Sequence, residues 1–596
     1  MRRHPIMCGI LGEIRFDGTD ADLSALEKMA RVMKPRGPDG EGIIRRNNIG
    51  LGHRRLKIID LSDCSQQPMV DSKLGLSLVF NGAIYNYSEL RVELESLGYL
   101  FFSGGDTEVI LKSYHAWGAS CVEKFNGMFA FAVVERDSGR VFMARDRVGI
   151  KPFYYVHTPQ VFRFASTLPA LLAAGGVDTS IDPVALHHYM TFHSIVPPPR
   201  TILNGVKKLP PATRAFLESD GSISQDRYWT PTFGMLPGDE SRTDEDWINE
   251  TLSVLRSAVR RRLVADVPVG VLLSGGLDSS LITGLLCEHG RSGIETFSIG
   301  FESVGNEEGD EFKYSDIVST HFGTNHHKLF IDSTKALPAL RHCISQMSEP
   351  MVSHDNVGFY LLSQEVAKHV KVVQSGQGAD EIFGGYHWYP PMLNASDPLT
   401  TYGSHFFDRS HKDYLSTVSS RFHVEDHSTA FVRSHFDMPG AESGIDKALR
   451  LDTLVMLVDD PVKRVDNNTM AASLEARVPF LDHEVIEFAA RVPARLKISG
   501  DGKYILKEAG RRVIPSEVID RPKGYFPVPA LKYLRGDFLD MAREALLCSA
   551  AKDRGLFQSK VVEAFLASPE THITPLRGSK LWQLSLLELW LQNHGI

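Results

Sequence analysis

The chain has 596 residues, enough for more than one hydrophobic core, so at least two domains are expected. Hydrophobic residues at 43% and charged residues at 23% exclude the disordered and collagen-like classes. Lys and Arg (65) fall short of Asp and Glu (73), and the net charge of −8 provides no basic field for capturing nucleic acid.

Six cysteines stand singly, with no C-x-x-C pair, which fits a reducing cytoplasm. The apolar stretch IMCGILG near the basic start is cut short by Glu13 and Arg15, so neither a signal peptide nor a membrane span is expected. Within that stretch Cys8 follows Met7. Removal of residues 1–7, or initiation at Met7, would give the thiol its own free α-amine. The alternative is a small buried side chain.

In the first third, LSLVFNGAIYNY and GMFAFAVVERDSGRVFMARD are β-rich runs broken by Asn-Gly and Asp-Ser-Gly, which predicts layered antiparallel sheets. Between them SELRVELESLGY has helical spacing and a C-terminal Gly98, so this part is an α+β domain over 8–232. The polar, turn-rich stretch 233–245 reads as a linker. From 246 to 596 the pattern changes: DVPVGVLLSGGLDSSLITGLL, ETFSIGF and HVKVVQSGQGADEIF each place an apolar strand before a turn, predicting an α/β domain with a parallel, doubly wound sheet. The final LWQLSLLELWLQ reads as an amphipathic helix packed on the core.

SGGLDSS is the strongest chemical signal. Ser274, Gly275 and Gly276 leave a buried strand in a tight turn, where backbone N–H groups can approach phosphate oxygens at a helix N-terminus. Asp278 adds a carboxylate suited to Mg²⁺, and SGQGADEIFGGY offers Asp380 and Glu381 to join it. The absence of G-x-x-x-x-G-K-[ST] disfavours a Walker loop. Taken alone, a glycine turn explains the loop equally well. Asn325, His326 and His327 lack partners at zinc-ligand spacing. The aromatics of YHWYPPM fit either an acceptor pocket or packing beside the nucleotide site.

These motifs, followed by EARVPFLD, GDGKYILKEA and RPKGYFPVP, resemble the synthetase domain of the glutamine-dependent asparagine synthetase family, a PP-loop pyrophosphatase fold of the adenine nucleotide α hydrolase type. The resemblance implies that ATP is cleaved to AMP and pyrophosphate. Ser274, Gly275, Gly276, Leu277, Asp278, Ser279 and Ser280 would bind pyrophosphate, and Leu272, Ile299, Ser375 and Gly376 the adenosine. Asp278 and Asp380 would hold Mg²⁺, while Lys503 would stabilise charge on the departing pyrophosphate. The third residue of SGQGADE is commonly acidic in this family. Here it is Gln377, which cannot take a proton from attacking ammonia, so Glu381 or the substrate itself is the alternative acceptor.

In the first domain MCGILGEI, PRGPDGEG, GHRRLKIID, FNGAIYNY and GGDTEVIL resemble, in order, the family's N-terminal-nucleophile (αββα) glutaminase domain. By this match Cys8 is the nucleophile and Arg55 clamps the glutamine carboxylate. Asn81 and the Gly82 N–H form the oxyanion hole, and Asp106 holds the α-ammonium. Ala83 stands where the family often carries Glu. Ammonia would then reach the second site through a sheltered tunnel.

Stretches such as GEIRFDG, SYHAWG and EPMVSHDNVGFYLLS look like the branch that amidates the capped dipeptide N-acetylglutaminylglutamine to an osmoprotectant. The expected partners are therefore glutamine, ATP and a carboxylate acceptor, either that dipeptide or aspartate, with no nucleic acid and no membrane; a homodimer is left open. Two further alternatives are a synthetase fed by free ammonia and a regulatory protein that keeps the fold without catalysis.

Overall fold

A computed structural model describes residues 8–37, 39–290, 293–301, 312–331, 335–521 and 534–596. The extension 1–7 and all of RPKGYFPVP except Arg521 lie outside the described residues.

The first domain is built from two six-stranded antiparallel sheets packed face to face. Strand alternation dictates the layers. Along Gly127–Glu135, Ala130, Ala132 and Val134 face the other sheet, while Phe129, Phe131 and Val133 face a helical layer. The alanines let the sheets approach; the phenylalanines fill the wider space under the helices Tyr87–Ser96 and Asp106–Trp117. Helices Leu23–Val32, Leu168–Ala174 and Pro183–Thr191 cover the opposite sheet, completing an αββα stack. Strand Gly9–Arg15 runs in the middle of its sheet, between Ile49–Arg55 and Val161–Ala165, so Cys8 sits at the entry of a central strand.

The second domain opens with helix Asp244–Arg261, started by a capping box between Thr243 and Asp246. Its five-stranded parallel sheet runs in the order Asn325–Ile331, Glu295–Phe301, Val269–Leu272, Val372–Gln374, Glu475–Arg477. Val269–Leu272 is buried along its whole length, as expected of a strand covered on both faces. A helical segment from Gly444 to Ala471 contains two π-type stretches, Asp452–Met456 and Val458–Val462, the second around Pro461. Proline has no N–H to continue the α ladder, and the wider turn accommodates it.

The last helix, Lys580–Asn593, departs from the amphipathic expectation: residues 581–591 are all buried. Its polar groups are partnered inside the protein. Trp582 and Trp590 donate to the carbonyls of Val352 (3.1 Å) and Met347 (2.9 Å), Gln583 donates to Tyr189 O (2.8 Å), and Glu588 pairs with Arg554 (2.9 Å). Tyr189 belongs to the first domain, so this helix bridges both halves. No described helix is long and apolar enough to cross a membrane.

Buried ion pairs lock the domains together. Lys208 reaches Glu349 (3.0 Å) and Asp459 (2.5 Å), while Arg36 and Lys151 converge on Asp466 (3.0 and 3.3 Å). Lys208→Met would strand two buried carboxylates, and removing one partner of such a group costs about 3–5 kcal/mol. An unfolding free energy lowered by that amount in urea titration, with a correspondingly lower midpoint, is expected; an unchanged midpoint would mean that Lys463, 3.6 and 3.7 Å from the same carboxylates, replaces it.

Candidate active sites

The first site is a cavity lined by Cys8, Arg55, Gly82, Ala83 and Asp106, together with Gln67, Glu475 and Arg477. The Cys8 thiol accepts the Leu56 N–H at 3.3 Å, and burial pushes it up to about 11. In peptide linkage to Met7 the thiol has no adjacent amine to lower that value. The Arg55 guanidinium is buried and anchored on the carbonyls of Ser62 (2.7 Å) and Asp60, which fixes its fork at the cavity wall.

Asn81 and Gly82 lie on strand Leu76–Ile84. Asn81 itself does not line the cavity; its Nδ2 is buried behind the lining residue Gly82 with no hydrogen-bond partner in the structure, a donor without an acceptor. Gly82 has φ +151°, and a Cβ there would lie 2.0 Å from Met128 O, so only glycine fits. Asp106 opens helix Asp106–Trp117 and accepts the Ile84 N–H (3.0 Å); burial raises its carboxyl to about 7.

The second site is a larger cavity of about 390 Å³ at the C-terminal ends of the parallel strands. Leu272, Ser274, Gly276, Leu277, Asp278, Ser279, Ile299, Ser375, Gly376, Asp380 and Lys503 line it. Gly275 and Ser280 do not. Gly275, at φ +71°, packs where a Cβ would meet Ser315 N at 2.5 Å, and Ser280 is fully buried in helix Leu277–Glu288. A Cβ on Gly376 would lie 2.9 Å from the Asp278 Cβ, so glycine lets the two loops abut. Ser274 and Ser279 bond each other (3.1 Å), bracing the turn.

Lys503, at φ +54°, sends its ammonium between Asp278 (2.7 Å) and Asp380 (2.9 Å). Burial opposes that charge, but the two carboxylates override it and raise the lysine pKa. Glu381 does not line the cavity. It is buried, raised to about 7 by burial and then by Asp380, and bonded by the Tyr386 hydroxyl (2.8 Å). None of Tyr386, Trp388 and Tyr389 lines this cavity. Trp388 and Tyr389 instead donate to buried Asp452 (2.9 and 2.7 Å). His326 bonds Thr296 and Ser298, and His327 bonds Glu295, so no third metal ligand gathers there among the described residues.

Sequence reasoning missed Arg464, which lines the second cavity and is held on Asp355 (2.8 Å), and also Lys507 and Arg521. It also missed Glu475 and Arg477 of EARVPFLD, which come from the second domain yet line the first cavity. The two sites meet at one hydrogen bond: the N–H of Ser375, on the second cavity, donates to the carbonyl of Arg477, on the first, at 2.9 Å.

A glutaminase-type αββα domain joined to a nucleotide-binding parallel sheet defines an amidotransferase class, and the comparisons specify it. The glutamine amidotransferase domain family matches residues 7–229 and the asparagine synthase family residues 250–592. Asparagine synthetase [glutamine-hydrolyzing] 1 of Bacillus subtilis is 30% identical, covering 98% of this chain and 96% of its own. A putative asparagine synthetase of Mycobacterium tuberculosis is 35% identical over 90% of each, and asparagine synthetase B of Escherichia coli 30% over 87% and 82%. The chain belongs to the glutamine-hydrolysing asparagine synthetase family, whose members are ATP-dependent carbon–nitrogen ligases.

Two predictions follow from the geometry. Gly385→Ala would place a Cβ 2.1 Å from Asp380 Oδ1 and 2.3 Å from Lys503 Cε, prising the bridge apart. ATP-dependent pyrophosphate release should fall roughly 10²-fold while glutamine hydrolysis persists; equal loss of both would point to misfolding. Asp106 ionises near its ordinary 3.8 when unfolded and near 7 when folded. The folded state therefore keeps the proton across that window, and stability is full below about 3.8 and declines as pH rises towards 7. Thermal unfolding of Asp106→Asn should lack that decline.

Proposed function

We propose that this chain hydrolyses glutamine at Cys8, activates a carboxylate with ATP in the second cavity, and amidates it, with N-acetylglutaminylglutamine as the acceptor. The observation that carries the ATP-using half is the Lys503 bridge between Asp278 and Asp380 beside a glycine loop. Two carboxylates converging on one cation are oxygen donors that fit Mg²⁺, which would neutralise phosphate charge when bound with ATP. Ser274, Gly276 and Ser279 would cradle phosphate, Leu272, Ile299, Ser375 and Gly376 would contact adenosine, and Lys503 would stabilise the departing pyrophosphate.

In the first cavity the Cys8 thiolate would attack the glutamine carboxamide carbon, and the oxyanion would take hydrogen bonds from Asn81 and Gly82. Arg55 and Asp106 would hold the two ends of the amino acid. Ammonia leaves, and water cleaves the thioester. This chemistry calls for residues 1–7 to be absent, so that the Cys8 α-amine accepts the thiol proton. The Arg477–Ser375 hydrogen bond supports a short sheltered route for ammonia, which would displace AMP from the acyl adenylate. The six unpaired cysteines fit the reducing cytoplasm.

The dipeptide is favoured over aspartate by the branch resemblance and by neutral Gln377 on the cavity wall. Since Glu381 is off the cavity lining, the substrate itself is the acceptor we favour for the incoming nitrogen's proton. Pyrophosphate release should be measured with ATP, Mg²⁺ and glutamine, and the amidated product identified by mass. Turnover with N-acetylglutaminylglutamine alone supports the proposal; turnover with aspartate alone returns the chain to asparagine synthesis. Cys8→Ala should abolish glutamine-supported but not ammonium-supported product, and intact mass of the active protein should begin at Cys8. A fully active form retaining Met1 would sink the terminal-cysteine mechanism.

A further inference from the structure

Away from both cavities, His187, His411 and Asp426 bring ligand atoms within 4.8 Å of one another, the only such group of three among the described residues. His187 lies on helix Pro183–Thr191 of the first domain; His411 opens His411–Thr417 and Asp426 caps His427–Phe436 in the second. The His187 side chain is fully buried, and its Nε2 is 3.1 Å from His411 Nδ1 and 3.9 Å from Asp426 Oδ1.

Proton counting fixes the His187 tautomer. The Thr191 hydroxyl donates to the His187 carbonyl (2.7 Å), so in its 2.7 Å contact with Ser428 it must accept. The single Ser428 hydroxyl proton is thereby spent, and Ser428 Oγ accepts from His188 Nδ1 (2.9 Å) and from His187 Nδ1 (3.3 Å). His187 therefore carries its proton on Nδ1, and its Nε2 accepts from His411 Nδ1 (3.1 Å), whose proton a metal ion would displace.

We propose that His187 Nε2, His411 Nδ1 and Asp426 Oδ1 bind one zinc ion, with solvent as fourth ligand, clipping the two domains together. Zinc–nitrogen bonds of about 2.0–2.1 Å in a tetrahedron place ligand atoms about 3.3–3.4 Å apart. The His187–His411 pair at 3.1 Å is close to that spacing, while Asp426, 3.9 Å from His187 and within 4.8 Å of both histidines, would have to swing inward. Each ligand is already oriented from outside the site. Ser428 holds His187, a Tyr414 ring lies edge-on 4.6 Å from it and stacks on His411, and Thr429 holds Asp426 through its N–H (3.1 Å) and hydroxyl (2.8 Å). Such outer support is what a metal-ligating histidine needs to keep its tautomer.

The test uses untagged full-length protein stripped with a chelator and titrated with Zn²⁺ by calorimetry, and with Co²⁺ followed by visible absorption. One saturable equivalent is expected, lost in His411→Ala and in Asp426→Ala, and weakened roughly tenfold in Ser428→Ala. Zinc should raise the thermal midpoint of the wild type and leave that of His411→Ala unmoved. Glutamine hydrolysis by His411→Ala at moderate temperature should match wild type, showing that the variant is folded. No saturable uptake, or equal uptake by wild type and the variants, would overturn the proposal.

Discussion

The two cavities share one constraint, the parallel ladder formed by Val269–Leu272, Val372–Gln374 and Glu475–Arg477. Its first strand delivers the SGG turn, its second delivers Ser375 and Gly376, and its third carries Glu475 and Arg477 into the first cavity. Because backbone pairing sets the register of all three, neither cavity can be displaced along the strand direction without disturbing the other. The Ser375–Arg477 hydrogen bond is one rung beyond the paired Gln374 and Arg477. The two cavities are thus tied by main-chain geometry, while the Arg477 side chain is held on Glu475 and on the carbonyls of Arg262 and Val264.

Overall charge says little about such sites. The chain is net negative, and the second cavity gathers Arg464, Lys503, Lys507 and Arg521 opposite Asp278, Asp355, Asp380 and Asp501. In a concave, partly desolvated space such charges would act on a polyphosphate and its metal ion far more strongly than the average surface does. The same cations are held in check without ligand: Lys503 by two aspartates and Arg464 by Asp355. A nucleotide would compete for partners that are already arranged.

The fold was legible in the sequence wherever pattern is local. Strand alternation gave the antiparallel layers, and the glycine turns after apolar runs gave the parallel sheet, because both follow from neighbours in the chain. Most of the residues singled out for each site do line its cavity, since they ride on those turns. What escaped depends on contacts between distant segments: Glu475 and Arg477 sit in a quoted motif, but nothing near them in the chain says that they face the other domain. Glu381 was misjudged for the same reason, since adjacency to Asp380 does not say which side of a short helix faces the cavity. The final helix misled because its Gln583 and Glu588 look solvent-seeking until Tyr189 and Arg554 are placed beside them.

That helix has a consequence for how the protein comes into being. Residues 580–593 are translated after all the segments they touch, including Tyr189 in the first domain and Val352 and Met347 in the second. While the ribosome is still at work, the apolar surface that will receive Leu581, Trp582, Leu586 and Trp590 is uncovered. The nascent chain therefore carries a sticky unfinished seam late in its synthesis, the kind of surface that chaperones hold and that associates wrongly when they are scarce.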